Sequence, residues 1–262
     1  MSAVYNIVLA LLFSAAAVVA AAALFNNLTK RPVIQFLSAE EMQRVITDDA
    51  DNYYDKFHTV DYKVRDVTNR HTYLEKISKS GCAAESDIIE KVRSCIETVH
   101  RQLSATNGNE TIHGIDIAVF LNIPWRIGFT CDKKYENGLP HTRGDVIILN
   151  NKDIQRRTVN EVCKLLIHEK SHVYQKTKKE NMSAYLKTNY TEVKRKDYKD
   201  KTIPANPDID DMIYKCNKTN MLLEGKYREN PTHFRDVVFT QNNHALEHPF
   251  ERIAYGMEDL FY

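Results

Sequence analysis

Leu165-Leu166-Ile167-His168-Glu169-Lys170-Ser171-His172-Val173-Tyr174-Gln175 is the stretch whose reading decides this chain. As a helix it sets His168 and His172 one turn apart on one face, close enough for both imidazoles to bind one zinc ion, with Glu169 beside them. Each residue type in this H-E-x-x-H spacing has a chemical reason. Bound zinc polarises a substrate carbonyl and brings the pKa of its water to about 7, while the glutamate takes the water's proton during attack. The plainer alternative is a pair of unremarkable histidines on an amphipathic helix, because a chain with ten histidines can produce the pattern by chance.

Residues around the motif favour the helix. Thr158 and Glu161 have capping-box spacing, and Val159, Val162, Leu165, Leu166 and Val173 continue an apolar stripe at helical intervals. Upstream, Gly144 to Leu149 reads as a strand leading into this helix. If it lies at a sheet edge, Val146 to Leu149 can align an extended peptide by strand addition; a buried core strand is the alternative. Just before it, His141 and Arg143 are candidates to line the cleft or stabilise an oxyanion, with simple exposure as the alternative for His141. Ile115, Ile117 and Val119 alternate as one further strand, and Ile123, Trp125, Ile127 and Phe129 as another. Earlier still, Ser38 and Glu41 match a capping box opening a helix to about Phe57, and Ser86 to Leu103 has a strong helical period.

A catalytic zinc site needs a third protein ligand and one position left for water. Downstream candidates are Glu224, Glu229, His233, His244, Glu247, Glu251 and Glu258, and Glu251 is the choice. Pro249 suits the first position of a helix, which puts Glu251 in its first turn. Ala254 and Tyr255 then fall on the same face, where a small residue permits close approach to the His168 helix. Between these segments, Lys176 to Lys201 is rich in basic residues, and Asp208, Asp210 and Asp211 form an acidic group beside Pro204 and Pro207. Both stretches read as solvated surface.

Composition and topology bound the rest. The 262 residues carry 36 Lys and Arg against 35 Asp and Glu, so no global field points to nucleic acid. Ile7 to Phe25 is uncharged and rich in Ala, Val and Leu, which at about 1.5 Å per residue roughly spans a hydrocarbon core of about 30 Å. With no basic residue before it, the segment reads as an N-terminal transmembrane anchor rather than a cleaved signal. Lys30 and Arg31 argue for a cytoplasmic C-terminal part. The sequons at Asn27, Asn109, Asn181, Asn189 and Asn217 argue for the opposite side. Five cysteines, an odd number without C-x-x-C, suggest reduced thiols rather than a disulfide framework.

His168-Glu169-x-x-His172 followed by Glu251-x-x-Ala254-Tyr255 resembles the gluzincin metallopeptidases. The phrases Gly138-Leu139-Pro140-His141-Thr142-Arg143 and Ala205-Asn206-Pro207-Asp208 are similar to those of membrane-anchored metallopeptidases proposed for large DNA viruses. The resemblance runs from about Gly138 to Tyr262 and implies an α+β, zincin-like fold. A small twisted sheet and active-site helix form one subdomain, and a mostly helical second one carries the glutamate. On this reading residues 1–31 are the anchor with its flanks and 32–262 the metallopeptidase domain. Within it, 32–106 are a helical scaffold, 107–179 the sheet and motif helix, and 180–262 the helical subdomain. The resemblance also implies Zn2+ held by His168, His172 and Glu251, with Glu169 as general base and peptide-bond hydrolysis as the activity.

Two features depart from the family pattern. The 78 residues between His172 and Glu251 exceed those of compact thermolysin-like enzymes, and Tyr255 stands where gluzincins often carry an aspartate orienting a zinc-bound histidine. Tyr255 either stabilises an oxyanion or only packs. The alternatives from other classes are a non-catalytic, membrane-tethered structural or virion protein that retains the scaffold, and a zinc hydrolase acting on a non-peptide bond.

Overall fold

The structure, a computed structural model, describes residues 31–106, 110–239 and 247–261. It is a mixed α+β fold with several small sheets. The expected membrane anchor lies outside the described residues, among which no helix is long and apolar enough to cross a membrane.

Two strands make the central pair of the largest sheet. Chain order gives β1 (Ile34–Phe36), α1 (Ala39–Asp48), β2 (Gly81–Cys82), α2 (Ser86–Ala105), β3 (Trp125–Thr130), β4 (His141–Arg143), β5 (Val146–Asn150) and α3 (Val159–Thr177). β3 runs parallel to β5 with Ile127 opposite Ile147, and β1 runs parallel to β3 on its other side. β2 pairs with the far end of β3, and β4 lies antiparallel on β5 with Thr142 opposite Ile147. The region 32–106 therefore supplies two strands to this sheet as well as helices.

β5 is an inner strand, between β3 and β4, so the expectation that Val146 to Leu149 presents a free edge is corrected. All five of its residues are buried, because both faces of the sheet are covered. Such strands read as continuous apolar runs rather than alternating ones. Ile147 and Leu149 pack with Val92 and Val99 of α2 and Leu166 and Ile167 of α3. Val146 and Ile148 pack on the opposite face with Met42, Ile46, Tyr54 and Tyr73. Each large apolar side chain buried in these layers contributes about 1.5–3 kcal/mol. The close approach of α1 explains Gly128: a Cβ there would collide with the Met42 side chain.

Several local expectations are corrected. The helix opened by Ser38 has its capping box, but it stops at Asp48 because Asp49 turns left-handed at φ 50° and its carboxylate accepts the Tyr54 N–H. Ile115 to Val119 is not one strand: only Ile115–Asp116 is extended, and the Asp116 side chain then caps a short helix, Ile117–Asn122. The cap overrides the alternation. Cys82 and Cys131 form a disulfide, contrary to the expectation of reduced thiols. Pairing of Cys82 with Phe129 across β2 and β3 brings them together over a separation of 49 residues, which spacing along the chain does not reveal.

The remaining chain holds α4 (Lys179–Asn189), β6 (Tyr190–Arg195), β7 (Met212–Cys216), β8 (Leu222–Leu223), β9 (Gly225–Tyr227), β10 (Val237–Phe239) and α5 (Pro249–Glu258). The expected helical character of 180–262 is thus replaced by a three-stranded sheet, β8-β7-β6, and a two-stranded one, β9-β10, between the two helices. These strands are two to six residues long, too short to establish a period in the sequence.

Candidate metal centre

α3 and α5 build the site between them. Thr158 caps α3 as expected, its hydroxyl accepting the Glu161 N–H while the Glu161 carboxylate accepts the Thr158 N–H at 2.7 Å. Pro249 opens α5, where the His248 side chain accepts the Phe250 N–H. Ala254 is fully buried, the small residue on the face where the two helices meet. Gln175 ties them together near the site, donating from Nε2 to the Phe250 carbonyl at 2.9 Å.

This packing brings Glu251 to the two histidines. His168 Nε2 and His172 Nε2 are 3.1 Å apart, and Glu251 Oε2 lies 3.4 Å from the first and 3.5 Å from the second. For ligands about 2.0–2.1 Å from a tetrahedral zinc, neighbouring ligand atoms are separated by roughly 3.3 Å, so the triangle has the size such an ion requires. Among the described residues, these three make the one group of His, Cys, Asp and Glu side chains close enough to hold a metal.

The outer nitrogens of both rings are engaged, so the inner ones face the centre. His168 Nδ1 donates to Glu258 Oε1 at 2.6 Å, and His172 Nδ1 donates to Gln175 Oε1 at 2.8 Å. In each neutral ring this leaves the Nε2 lone pair directed inward, the tautomer a metal ligand needs. Sequence reasoning missed both orienting residues as such. Their signals were nonetheless present: Gln175 is three residues after His172, and Glu258 is two helical turns after Glu251. At the position first considered for this role, Tyr255 instead sets its ring 4.9 Å from that of His168 in an edge-to-face contact.

Charge in the centre also suits a cation. Burial opposes ionisation of Glu251, yet His172 and His168 hold its carboxyl well below the usual range. Burial likewise opposes protonation of His168, but Glu251 and Glu258 draw its pKa well above the ordinary value, and Glu251 and Asp208 raise that of His172. Carboxylates thus pull positive charge onto the imidazoles, charge that a divalent ion would supply directly. The donor set and its spacing fit zinc.

Glu169 is buried beside the histidines, and its Oε2 has no hydrogen-bond partner. Burial first, then the Asp208 carboxylate, push its pKa up to about 8 against the opposing pull of His168 and His172. A carboxyl so placed can exchange a proton near neutral pH. It opens on a cleft of about 610 Å³ that also reaches His168, Glu251, Tyr255 and His141.

The other candidates fall as follows. His141 lies in the cleft wall but is buried, with Nδ1 donating to the Leu139 carbonyl at 2.9 Å and Nε2 accepting from the Tyr135 hydroxyl at 3.2 Å. Neither nitrogen is left to donate to an oxyanion. Arg143 is locked in a buried network with Asp49, Asp51, Tyr54 and Tyr135. Glu224 and Glu247 line the cleft, His233 bonds Asn137, and His244 lies outside the described residues. Contrary to the reading of a solvated turn, Asp208 is buried and accepts from Thr142, and Asp210 pairs with His248 at 3.2 Å. Their partners lie 38 to 66 residues away in sequence, which is why the turn signals alone misled. Compared with protein-family models, curated proteins and solved structures, the chain has no match, and the centre is read from its own geometry.

Proposed function

We propose that the chain is a membrane-anchored, zinc-dependent metallopeptidase of the gluzincin type, with a zincin-like fold in which α3 supplies two ligands and α5 the third. The observation that carries this reading is the triangle of His168, His172 and Glu251 beside the unpartnered Glu169. Zinc, when bound, supplies Lewis acidity at a substrate carbonyl and makes water a nucleophile near neutral pH. Glu169 accepts the proton of the attacking water on Oε2 and delivers it to the leaving amine. Glu258 and Gln175 keep His168 and His172 in the ligating tautomer. Burial raises the Tyr255 pKa, so its hydroxyl stays protonated and able to donate to an oxyanion in the cleft.

Elemental analysis and a peptide library test the proposal together. Protein purified without chelator and offered zinc is expected to hold one ion per chain. Glu169→Gln is expected to retain that ion while kcat falls by about 10²–10⁴-fold. A protein that binds no zinc, or an active Glu169→Gln variant, overturns the reading and favours the non-catalytic scaffold.

A further inference from the structure

The sheet edge beside the cleft is β4, and its outward backbone groups are already taken. Residues of an antiparallel strand alternate between those that turn N–H and C=O toward the neighbour and those that turn both away. Thr142 is of the second kind. Its N–H donates to Asp208 Oδ1 at 2.8 Å, its hydroxyl to the same oxygen at 2.6 Å, and its carbonyl accepts from Lys176 Nζ at 2.9 Å. Two residues to either side, on the same alternation, Pro140 has no N–H and the Gly144 N–H donates to Asp51 Oδ2 at 3.3 Å.

The residues that close this edge are themselves fixed. Thr142 is fully buried and Asp208 is 8% exposed. Asp208 ends a strap, Ile203 to Asp208, that lines the cleft and is held from behind it by residues that do not line it. His58 Nε2 donates to the Ile203 carbonyl at 2.9 Å, and the Ala205 N–H donates to Asp61 Oδ1 at 3.2 Å. Pro204 and Pro207 remove two more backbone donors from the strap. An extended peptide adding to β4 would have to displace Asp208 and Lys176, which also pair with each other at 3.5 Å, and strip these largely buried charges of the hydrogen bonds that Thr142 gives them, which is costly.

From this geometry we infer that Asp208 and Lys176 are specificity-determining residues: they exclude strand addition at β4 and restrict the cleft to substrates held by their side chains. Leu139, Ile203 and Phe234 line the same cleft together with Lys196, Glu224 and Arg235, so it offers side chains both apolar and charged contacts. The inference rests on the peptidase reading for its substrate, but the closed edge can be tested apart from it.

The test uses the zinc-loaded full chain in detergent, with site-resolved amide exchange at Thr142 and a substrate peptide in which each amide outside the scissile bond is replaced in turn by an ester. In the wild type and in Asp208→Asn, where an acceptor remains, the Thr142 amide is expected to be protected. In Asp208→Ala it should exchange at least tenfold faster. The ester scan should change wild-type kcat/KM by less than threefold at every position. In Asp208→Ala, or in Lys176→Met if the former does not fold, one position should become tenfold sensitive. Wild-type Thr142 exchange as fast as in Asp208→Ala, or a tenfold ester effect in the wild type, overturns the inference. Absence of any cleavage together with the expected exchange pattern would instead refute the peptidase reading and leave the closed edge standing.

Discussion

Replacing Glu258 by alanine removes the only described partner of His168 Nδ1, a 2.6 Å hydrogen bond to a carboxylate. The ring can then turn or take the other tautomer, and its Nε2 no longer faces the centre in a fixed orientation. Outer partners of this kind typically contribute 10–100-fold in metal affinity, or roughly 1.4–2.7 kcal/mol. The Glu258 side chain is 26% exposed, so water can replace part of the lost bond, which places the expected loss near the tenfold end. Tyr255→Phe keeps the ring against His168 and removes only the hydroxyl, and should leave zinc affinity within about twofold. Competition against a chromophoric chelator at pH 7.5 measures both variants, with Glu251→Ala marking the larger effect of losing a ligand. Wild-type affinity in Glu258→Ala, or an equal loss in Tyr255→Phe, would refute the assignment of Glu258 as the residue that orients His168.

Gln175→Leu should act on folding as well as on zinc, because it takes from His172 Nδ1 its described partner and removes the bond that ties α3 to the Phe250 carbonyl of α5. The unpaired ring nitrogen costs about 1–3 kcal/mol, read as a lower urea midpoint at unchanged slope. Glu136→Gln breaks the buried pair with Arg65, 2.7 Å apart, and should cost about 3–5 kcal/mol in the same assay. Burial alone would raise the Glu136 pKa, but Arg65 overcomes this and holds it below its ordinary value of 4.5. Its stabilising contribution is therefore complete above about pH 4.5 and lost as pH falls through the lower folded value, so stability measured from pH 3 to 7 should show a shallower acid-side slope in Glu136→Gln. Replacing Cys82 and Cys131 together opens a loop with a sequence separation of 49 and should cost about 4 kcal/mol by the chain-entropy relation, again read from urea unfolding of the oxidised wild type and the double variant.

What could be read in the sequence was whatever repeats or closes within a few residues. The capping boxes at Ser38 and Thr158, the period of Ser86 to Leu103, the run Val146 to Leu149 and Pro249 at the head of α5 are each set by backbone geometry over one or two turns. H-E-x-x-H belongs to this class, because helix pitch alone puts His168 and His172 on one face. Glu251, the proposed third ligand, was legible only as one candidate among seven, chosen on local helix signals.

Tertiary structure decided everything that depends on chain closure. His168 finds Glu258 across 90 residues, Thr142 finds Asp208 across 66, and Cys82 finds Cys131 across 49. A periodic pattern carries no information about which distant residue will arrive, so an acidic turn, an odd set of cysteines and an apolar strand each invited the wrong environment. The sequence by itself determined the long helices Ser86–Ala105 and Val159–Thr177, the inner strands as apolar segments and the placing of His168 and His172 on one helix face. Only packing of α3 against α5, and the arrival of Asp208 at Thr142 from the end of the 203–208 strap, decided how the histidines are oriented and which backbone edge is closed.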